Sequence, residues 1–376
     1  MMINLLTLIL ILSINLTVFA QDKSTIQIRL IGEKIIPHSK NHNETIVGGI
    51  SGMDKCSDSC WVMISDDISE RNSSRIYTAK FFYDSQKVDS VVFDKMYFLK
   101  TPKAKFFLSL EEAKTSHDTP KYISDGEAIR YNPNTNTLIC TNEGYYDDGL
   151  IIQPSIWEMN LEGNFIRYLE TPSNLLFTDS KTQKGLRNNL TFEGLSFSKD
   201  FKYLWLSAEG ALIQDGEVSN HKQTSPIRIS KMDYSTGKVI AQYAYLPEMT
   251  ALKPDNSNEN AENGVSEILA LEDNKLLILE RSFTKRMGNY VQLFEADFSQ
   301  ADNILYSEKI PPNCRAAVKK KVVDFSTLKL PRIDNIEAMS WGKRLENGKR
   351  SIIFTSDNNF RSTQITQMVV CELIEN

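Results

Sequence analysis

The sequence predicts an all-β protein, a β-propeller whose small sheets stand around one axis, and three observations predict it. Strand-like runs dominate the chain, they fall into groups of about four joined by short polar turns, and an acidic residue opens most groups at a near-constant interval. The opening acids Glu127, Glu193, Glu267 and Glu337 are 66, 74 and 70 residues apart, and the equivalent point near Gly52 lies 75 residues before Glu127. One four-stranded sheet cannot bury both its faces, so a period of this length means units stacked on their neighbours.

The first group holds residues 46–55, 62–65, 75–83 and 91–98. The second holds AIRYN, TLICTN, SIWEMN and FIRYLE, broken at Asn132-Pro133-Asn134 and at Glu162-Gly163-Asn164. The third holds LTFEGLSFS, YLWLSAE, PIRISKMDY and KVIAQYAYL, and the fourth GVSEILAL, KLLILERSF, YVQLFEADF and ILYSEKI. The fifth, IEAMSWG, SIIFTSD and QITQMVVCEL, supplies only three strands. Residues 26–36 are the natural fourth, so the ring is expected to close by pairing this N-terminal strand with the C-terminal blade and leaving no open edge. Five blades are counted, and six also fit because AAVKKKVVDF within 311–335 reads as an extra strand pair. A β-sandwich is the competing architecture, but it has no reason to repeat an acid at matching positions.

With 41% hydrophobic residues in 376, the chain can bury a substantial core. A net charge of −5, with Lys and Arg dispersed, argues against a nucleic-acid surface. Residues 1–20 are apolar and nearly uncharged and end in Val18-Phe19-Ala20. This predicts a signal peptide cleaved after Ala20, a single mature domain over 21–376, and a secreted or periplasmic location. An uncleaved anchor is the alternative. No later run is long and apolar enough to span a bilayer, so no transmembrane segment is expected in the mature chain. In an exported chain Cys56 and Cys60, flanking three residues, are expected to pair as a disulfide.

Strand-opening acids arranged around one axis repel unless countercharges neutralise them, and calcium, which takes six to eight oxygen ligands, is the natural neutraliser. A second polar set closes the second strands: Asp66-Asp67, Asn142-Glu143, Glu209, Glu280-Arg281 and Asp357-Asn358-Asn359. Opener and closer are 16 residues apart in both the second and third groups, as hairpin partners would be. Glu127, Glu193, Glu209, Glu267, Glu280, Glu337 and Asp357 are therefore the candidate metal ligands. Arg281, whose planar guanidinium suits a phosphate or carboxylate, is the candidate substrate anchor and transition-state stabiliser, with Glu193 and Glu337 as candidate catalytic carboxylates and Asn358 as a further substrate contact. Lys181, Lys184 and Arg187 add positive charge before the third blade. For any single acid the competing reading is strand-end capping. No nucleophile elbow, phosphate loop or zinc-helix motif is present.

The phrases FEGLSFSKDFKYLWLSAEGALIQDG, LLILERSF and IEAMSWGKRLENGKRSIIFTSDNNF resemble the phytase-like family, also described as "esterase-like activity of phytase". Glu193-Gly194, Ser198-x-Asp200, Glu209, Asp215, Glu280-Arg281 and Ser356-Asp357-Asn358-Asn359-Phe360 carry the resemblance, with Ala338 after Glu337 departing from the family's usual glycine. The resemblance implies a secreted propeller that hydrolyses phosphate esters of small molecules with calcium held by carboxylates. Two other functions stay open: a non-catalytic propeller that binds a ligand or an envelope protein, and a lactonase-type hydrolase.

Overall fold

The computed structural model describes residue 24 and residues 26–375, apart from 118, 148, 179–182 and 255–260. The expected signal peptide lies outside the described residues. Five antiparallel four-stranded sheets are present, in the order blade 1 (Ile50–Lys55, Trp61–Ser65, Arg75–Tyr83, Val88–Phe98), blade 2 (Ile129–Asn132, Thr137–Asn142, Ser155–Asn160, Phe165–Leu169) and blade 3 (Phe192–Phe197, Tyr203–Ala208, Ile227–Asp233, Lys238–Tyr245). Blade 4 follows with Ala261–Glu272, Lys275–Thr284, Gly288–Asp297 and Val318–Asp324. Blade 5 joins Asn335–Arg344, Arg350–Asp357 and Thr366–Glu375 to Ile26–Ile36. That last pairing runs from Ile26 opposite Glu375 to Ile36 opposite Thr366, so the ring closes as the sequence predicts.

The first strand of each blade is innermost and touches the first strands of its neighbours. These strands are buried on both faces, which explains their near-continuous apolar character. The core lies in the seams between blades: Trp61 and Phe81 of blade 1 share one cluster with Ile353 and Val370 of blade 5, and Trp205 of blade 3 shares another with Ile278 and Phe298 of the blade 4 region. Each such fully buried side chain contributes roughly 1.5–3 kcal/mol. Gly52 and Gly194 let the inner strands approach closely, since a Cβ on Gly52 would stand 2.5 Å from the Glu127 carbonyl oxygen and one on Gly194 2.9 Å from the Ile268 nitrogen.

Two expectations are corrected. The outermost strand of blade 4 is Val318–Asp324, supplied by 311–335, in place of the expected ILYSEKI, which has no regular structure, and with no extra strand pair there the count of five blades holds. The expected Cys56–Cys60 disulfide is absent. Both are free thiols facing each other across the first hairpin of blade 1, where the Cys56 Sγ donates to the Cys60 carbonyl at 3.2 Å. A further hydrogen bond between the two thiol side chains outweighs burial and holds the Cys60 thiol down at about 7.

Candidate functional site

Strand register decides which acids meet. At one mouth of the channel the chain places one residue per blade at an equivalent point: Asp66, Glu143, Glu209, Arg281 and Asp357. The backbone nitrogens of the first three donate to the carbonyls of Gly49, Asp125 and Thr191 at 2.7–2.8 Å, while Arg281 pairs with Gly264 and Asp357 with Asn335. Just beyond this point every inner strand carries one more residue than its partner. The pairing skips Ser51 in blade 1, Ser266 in blade 4 and Glu337 in blade 5, and it is displaced by one residue around Glu193 in blade 3. In blade 2 four inner-strand steps, from Asp125 to Ile129, oppose three, from Glu143 to Cys140. A β-bulge re-aims a side chain. Here the repeated bulges turn Glu127, Glu193 and Glu337 toward the axis, beside the five closing residues.

The same register removes two predicted ligands. In blade 4 the bulge residue is Ser266, so Glu267 stands one position further on and faces the interior; a slip of one residue exchanges the faces of a strand. Its Oε1 accepts from the Leu195 and Ile268 nitrogens at 3.0 and 2.9 Å, and its Oε2 lies 2.6 Å from Arg130. Glu280, one residue before Arg281, points into the seam with blade 3 and accepts from Tyr245 Oη, the Glu248 nitrogen, Asn263 Nδ2 and Lys319 Nζ at 2.5–2.9 Å. Neither belongs to the acidic cluster. Asn358 is also a brace and not an open contact, since its buried Oδ1 accepts from the Gly49 and Phe360 nitrogens, both at 3.0 Å, and so ties blade 5 to blade 1. Lys184 pairs with Glu308, Arg187 donates to the Gly216 carbonyl, and Lys181 lies outside the described residues.

The remaining predicted residues converge. Glu127, Glu193, Glu209, Glu337, Asp357 and Arg281 line one cavity of about 350 Å³, together with Asp66, Asp125 and Glu143. Asp66 and Glu143 are legible as strand-closing acids, although the predicted ligand set omits them. Asp125 sits in what reads as a loop, and only its backbone partnership with Glu143 marks it. Two triads have carboxylate oxygens all within 4.8 Å of one another: Asp125, Glu127 and Glu143, and Glu143, Glu193 and Glu209. Glu143 belongs to both.

The electrostatics of the cluster are those of a site that could hold a cation. Burial, then mutual repulsion, pushes the Asp66 carboxyl up to about 7, and burial raises Glu143 to about 7 and Glu209 to about 8 against the pull of Thr191 and Arg281 respectively. Asp125, Glu127, Glu193 and Asp357 are raised well above the ordinary range by burial and by the neighbouring acids. The leading influences on Asp125 and Glu127 include nothing that offsets this. Glu193 Oε2 is buried with no hydrogen-bond partner among the described residues. Arg281 is the positive charge within the ring, 2.8 Å from Glu209 and 3.4 Å from Glu337. Although burial opposes its charge, the surrounding carboxylates outweigh that and raise it. An all-oxygen donor set with an orphaned buried carboxylate oxygen fits a hard divalent ion such as calcium. At the rim, Arg71 lies 5.0 Å from the Phe360 ring centroid, and Arg361 completes a basic edge above the acidic floor.

Five blades around a carboxylate-lined mouth define a β-propeller with candidate cation-binding clusters on its axis. The chain belongs to the phytase-like family, described as esterase-like activity of phytase, whose model matches residues 45–360. Among solved structures it is similar to a periplasmic gluconolactonase of Pseudomonas aeruginosa, 9% identical over 88% of this chain and 90% of that one, with a TM-score of 0.38. It is also similar to an α-L-arabinofuranosidase of Podospora anserina in complex with cellotriose, 9% identical over 93% and 98% of the two chains, with a TM-score of 0.41. A bifunctional GH43-CE protein of Bacteroides eggerthii is 11% identical over 87% of this chain and 33% of that one, with a TM-score of 0.43. Curated proteins yield no match.

Proposed function

We propose that this chain is an exported, calcium-dependent hydrolase of phosphate esters. The observation that carries the reading is the pair of carboxylate triads sharing Glu143 beside a single ring arginine, because it combines a demand for cations with a donor for an anionic group. Asp125, Glu127, Glu143, Glu193 and Glu209 would hold the ions. Bound calcium would supply Lewis-acid polarisation of phosphoryl oxygens and offset of their charge.

The chain's own residues do the rest. Arg281 presents donors to the phosphoryl group at the base of the funnel and stabilises the charge that develops there. Arg71 and Arg361 draw an anionic substrate over the rim. Glu337, outside both triads and oriented by a 2.8 Å bond from Asn335 Nδ2, accepts the proton of the attacking water. Among the described residues no helix is long and apolar enough to cross a membrane. The apolar segment 1–20 supports export.

The test is metal analysis of the purified protein with a turnover screen of phytate, nitrophenyl phosphates, acyl esters and lactones, with and without calcium. Calcium-dependent phosphate release that Glu193→Gln loses together with bound metal supports the proposal. Metal binding without turnover would replace it with a binding propeller, and turnover of lactones alone with a lactonase.

A further inference from the structure

The opposite end of the axial channel holds a second cavity of about 510 Å³, bordered by the far ends of all five inner strands. Its character is the reverse of the acidic funnel. Tyr131, Phe197, Phe201 and Trp341 give it aromatic walls, and Arg130 and Lys199 contribute to its lining. Its volume falls within the range of small-molecule sites.

Among the buried groups there, the hydrogen-bonding capacity left open is donor capacity, while the Asp58 carboxylate stands exposed to solvent. Asp54 is spoken for, accepting from the Tyr131 nitrogen at 2.8 Å and from Ser340 Oγ at 3.3 Å. Lys55 pairs with Asp58, Arg350 with Glu375, and the Ser198 hydroxyl donates to Asp200. By contrast, the buried Nε–H of Arg130 has no partner among the described residues, although its terminal nitrogens meet Glu267 and backbone carbonyls, and Lys199 is exposed and makes no ion pair among the described residues. A buried donor left unmet costs about 1–3 kcal/mol, so a ligand that brings an acceptor gains by meeting it.

Phe201 supplies a second, independent sign. It sits at φ 59° in the turn between the first two strands of blade 3, where the matching turns of blades 2 and 5 place Asn136 at φ 55° and Gly348 at φ 79°. A bulky residue in the left-handed region is costly, and such residues gather at ligand clamps. Here the cost sets an aromatic ring 5.4 Å from that of Phe197, on the cavity wall.

We infer that this far cavity is a second ligand site, for a flat apolar molecule bearing one carboxylate, its body between Phe197, Phe201 and Trp341 and its carboxylate toward Arg130 and Lys199. It is independent of the acidic funnel and of the hydrolytic reading.

Titration calorimetry of the whole protein with naphthalene-2-carboxylate and with its neutral amide tests this. The acid is expected to bind one to one, and the amide at least tenfold more weakly. Phe201→Gly, which suits the backbone but gives up the ring's packing on Phe197 and the core cluster, is assayed at a temperature where its melt shows it folded, and is expected to weaken acid binding at least tenfold while leaving turnover at the funnel unchanged. Lys199→Glu is expected to weaken the acid and not the amide. No binding of the acid, equal binding of acid and amide, or a Phe201→Gly protein that binds as the parent does would each overturn the inference.

Discussion

Arg130 and Glu267 face each other 2.6 Å apart across the propeller axis, and the same guanidinium donates to the Met53, Ile129 and Ile268 carbonyls. One side chain thus ties the inner strands of blades 1, 2 and 4 together, between the two axial cavities. Both partners are almost wholly buried, so removing Glu267 leaves a guanidinium away from solvent and without its direct ion-pair partner. Glu267→Ala is expected to destabilise the fold by about 3–5 kcal/mol while leaving the amount of bound calcium unchanged. Denaturant melts and metal analysis of the folded variant check this, and loss of metal would return Glu267 to the ligand set.

The acidic ring makes stability without cations depend on pH. Asp66 and Glu143, pushed up to about 7, and Glu209, up to about 8, stay protonated in the folded chain at pH values where the unfolded chain, titrating near ~4, has released its protons. Their relative stabilisation of the fold is complete below about pH 4 and is lost as pH rises through 7 to 8. Thermal melts in EDTA are expected to show a lower midpoint at pH 8.5 than at pH 5.5. Calcium at a hundred times its dissociation constant should restore about 2.7 kcal/mol at the alkaline end. A midpoint that rises with pH in EDTA would contradict this.

Arg281 occupies the place that a carboxylate holds in the other four blades, so it is the ring's own countercharge. Arg281→Gln should therefore tighten calcium binding, because Glu209 and Glu337 lose their built-in partner. If the guanidinium also stabilises the reacting phosphoryl group, turnover should fall about 10²–10³-fold at saturating calcium. Calcium titration and steady-state kinetics on the same variant separate the two effects. Unchanged kcat would remove Arg281 from the chemistry.

The ring closes through eleven residues. Deleting Ile26–Ile36 bares the Thr366–Glu375 strand as an open edge, and an apolar exposed edge invites association. The truncated chain is expected to aggregate and to lose near-ultraviolet circular dichroism. Tryptophan fluorescence should report blade 5 first, through Trp341, before Trp157 or Trp205.

The architecture was legible in the sequence because hairpin turns such as Asn132-Pro133-Asn134 punctuate strands of regular length, and because a ring short of one strand points back to residues 26–36. The site was legible to within one residue. Glu127, Glu193 and Glu337 share the spacing of bulge positions, whereas Glu267 matches that spacing only approximately and stands one step beyond the bulge residue Ser266. Amino-acid order does not reveal a bulge in blade 4, and at a two-residue period one step decides between channel and seam. Asp125 was hidden for a related reason, since it lies outside any strand and is placed by the backbone bond that Glu143 donates to it.

Sealing the ring with the strands Ile26–Ile36 and Thr366–Glu375 imposes an order on assembly. Ile26–Ile36 cannot find its partner until Thr366–Glu375 has been made, a wait of roughly half a minute at ordinary elongation rates. Through that interval four blades can form side by side, but the circle stays open. These two strands therefore act as a latch that fastens only once Thr366–Glu375 has been made, and a chain stopped short of it is left unlatched.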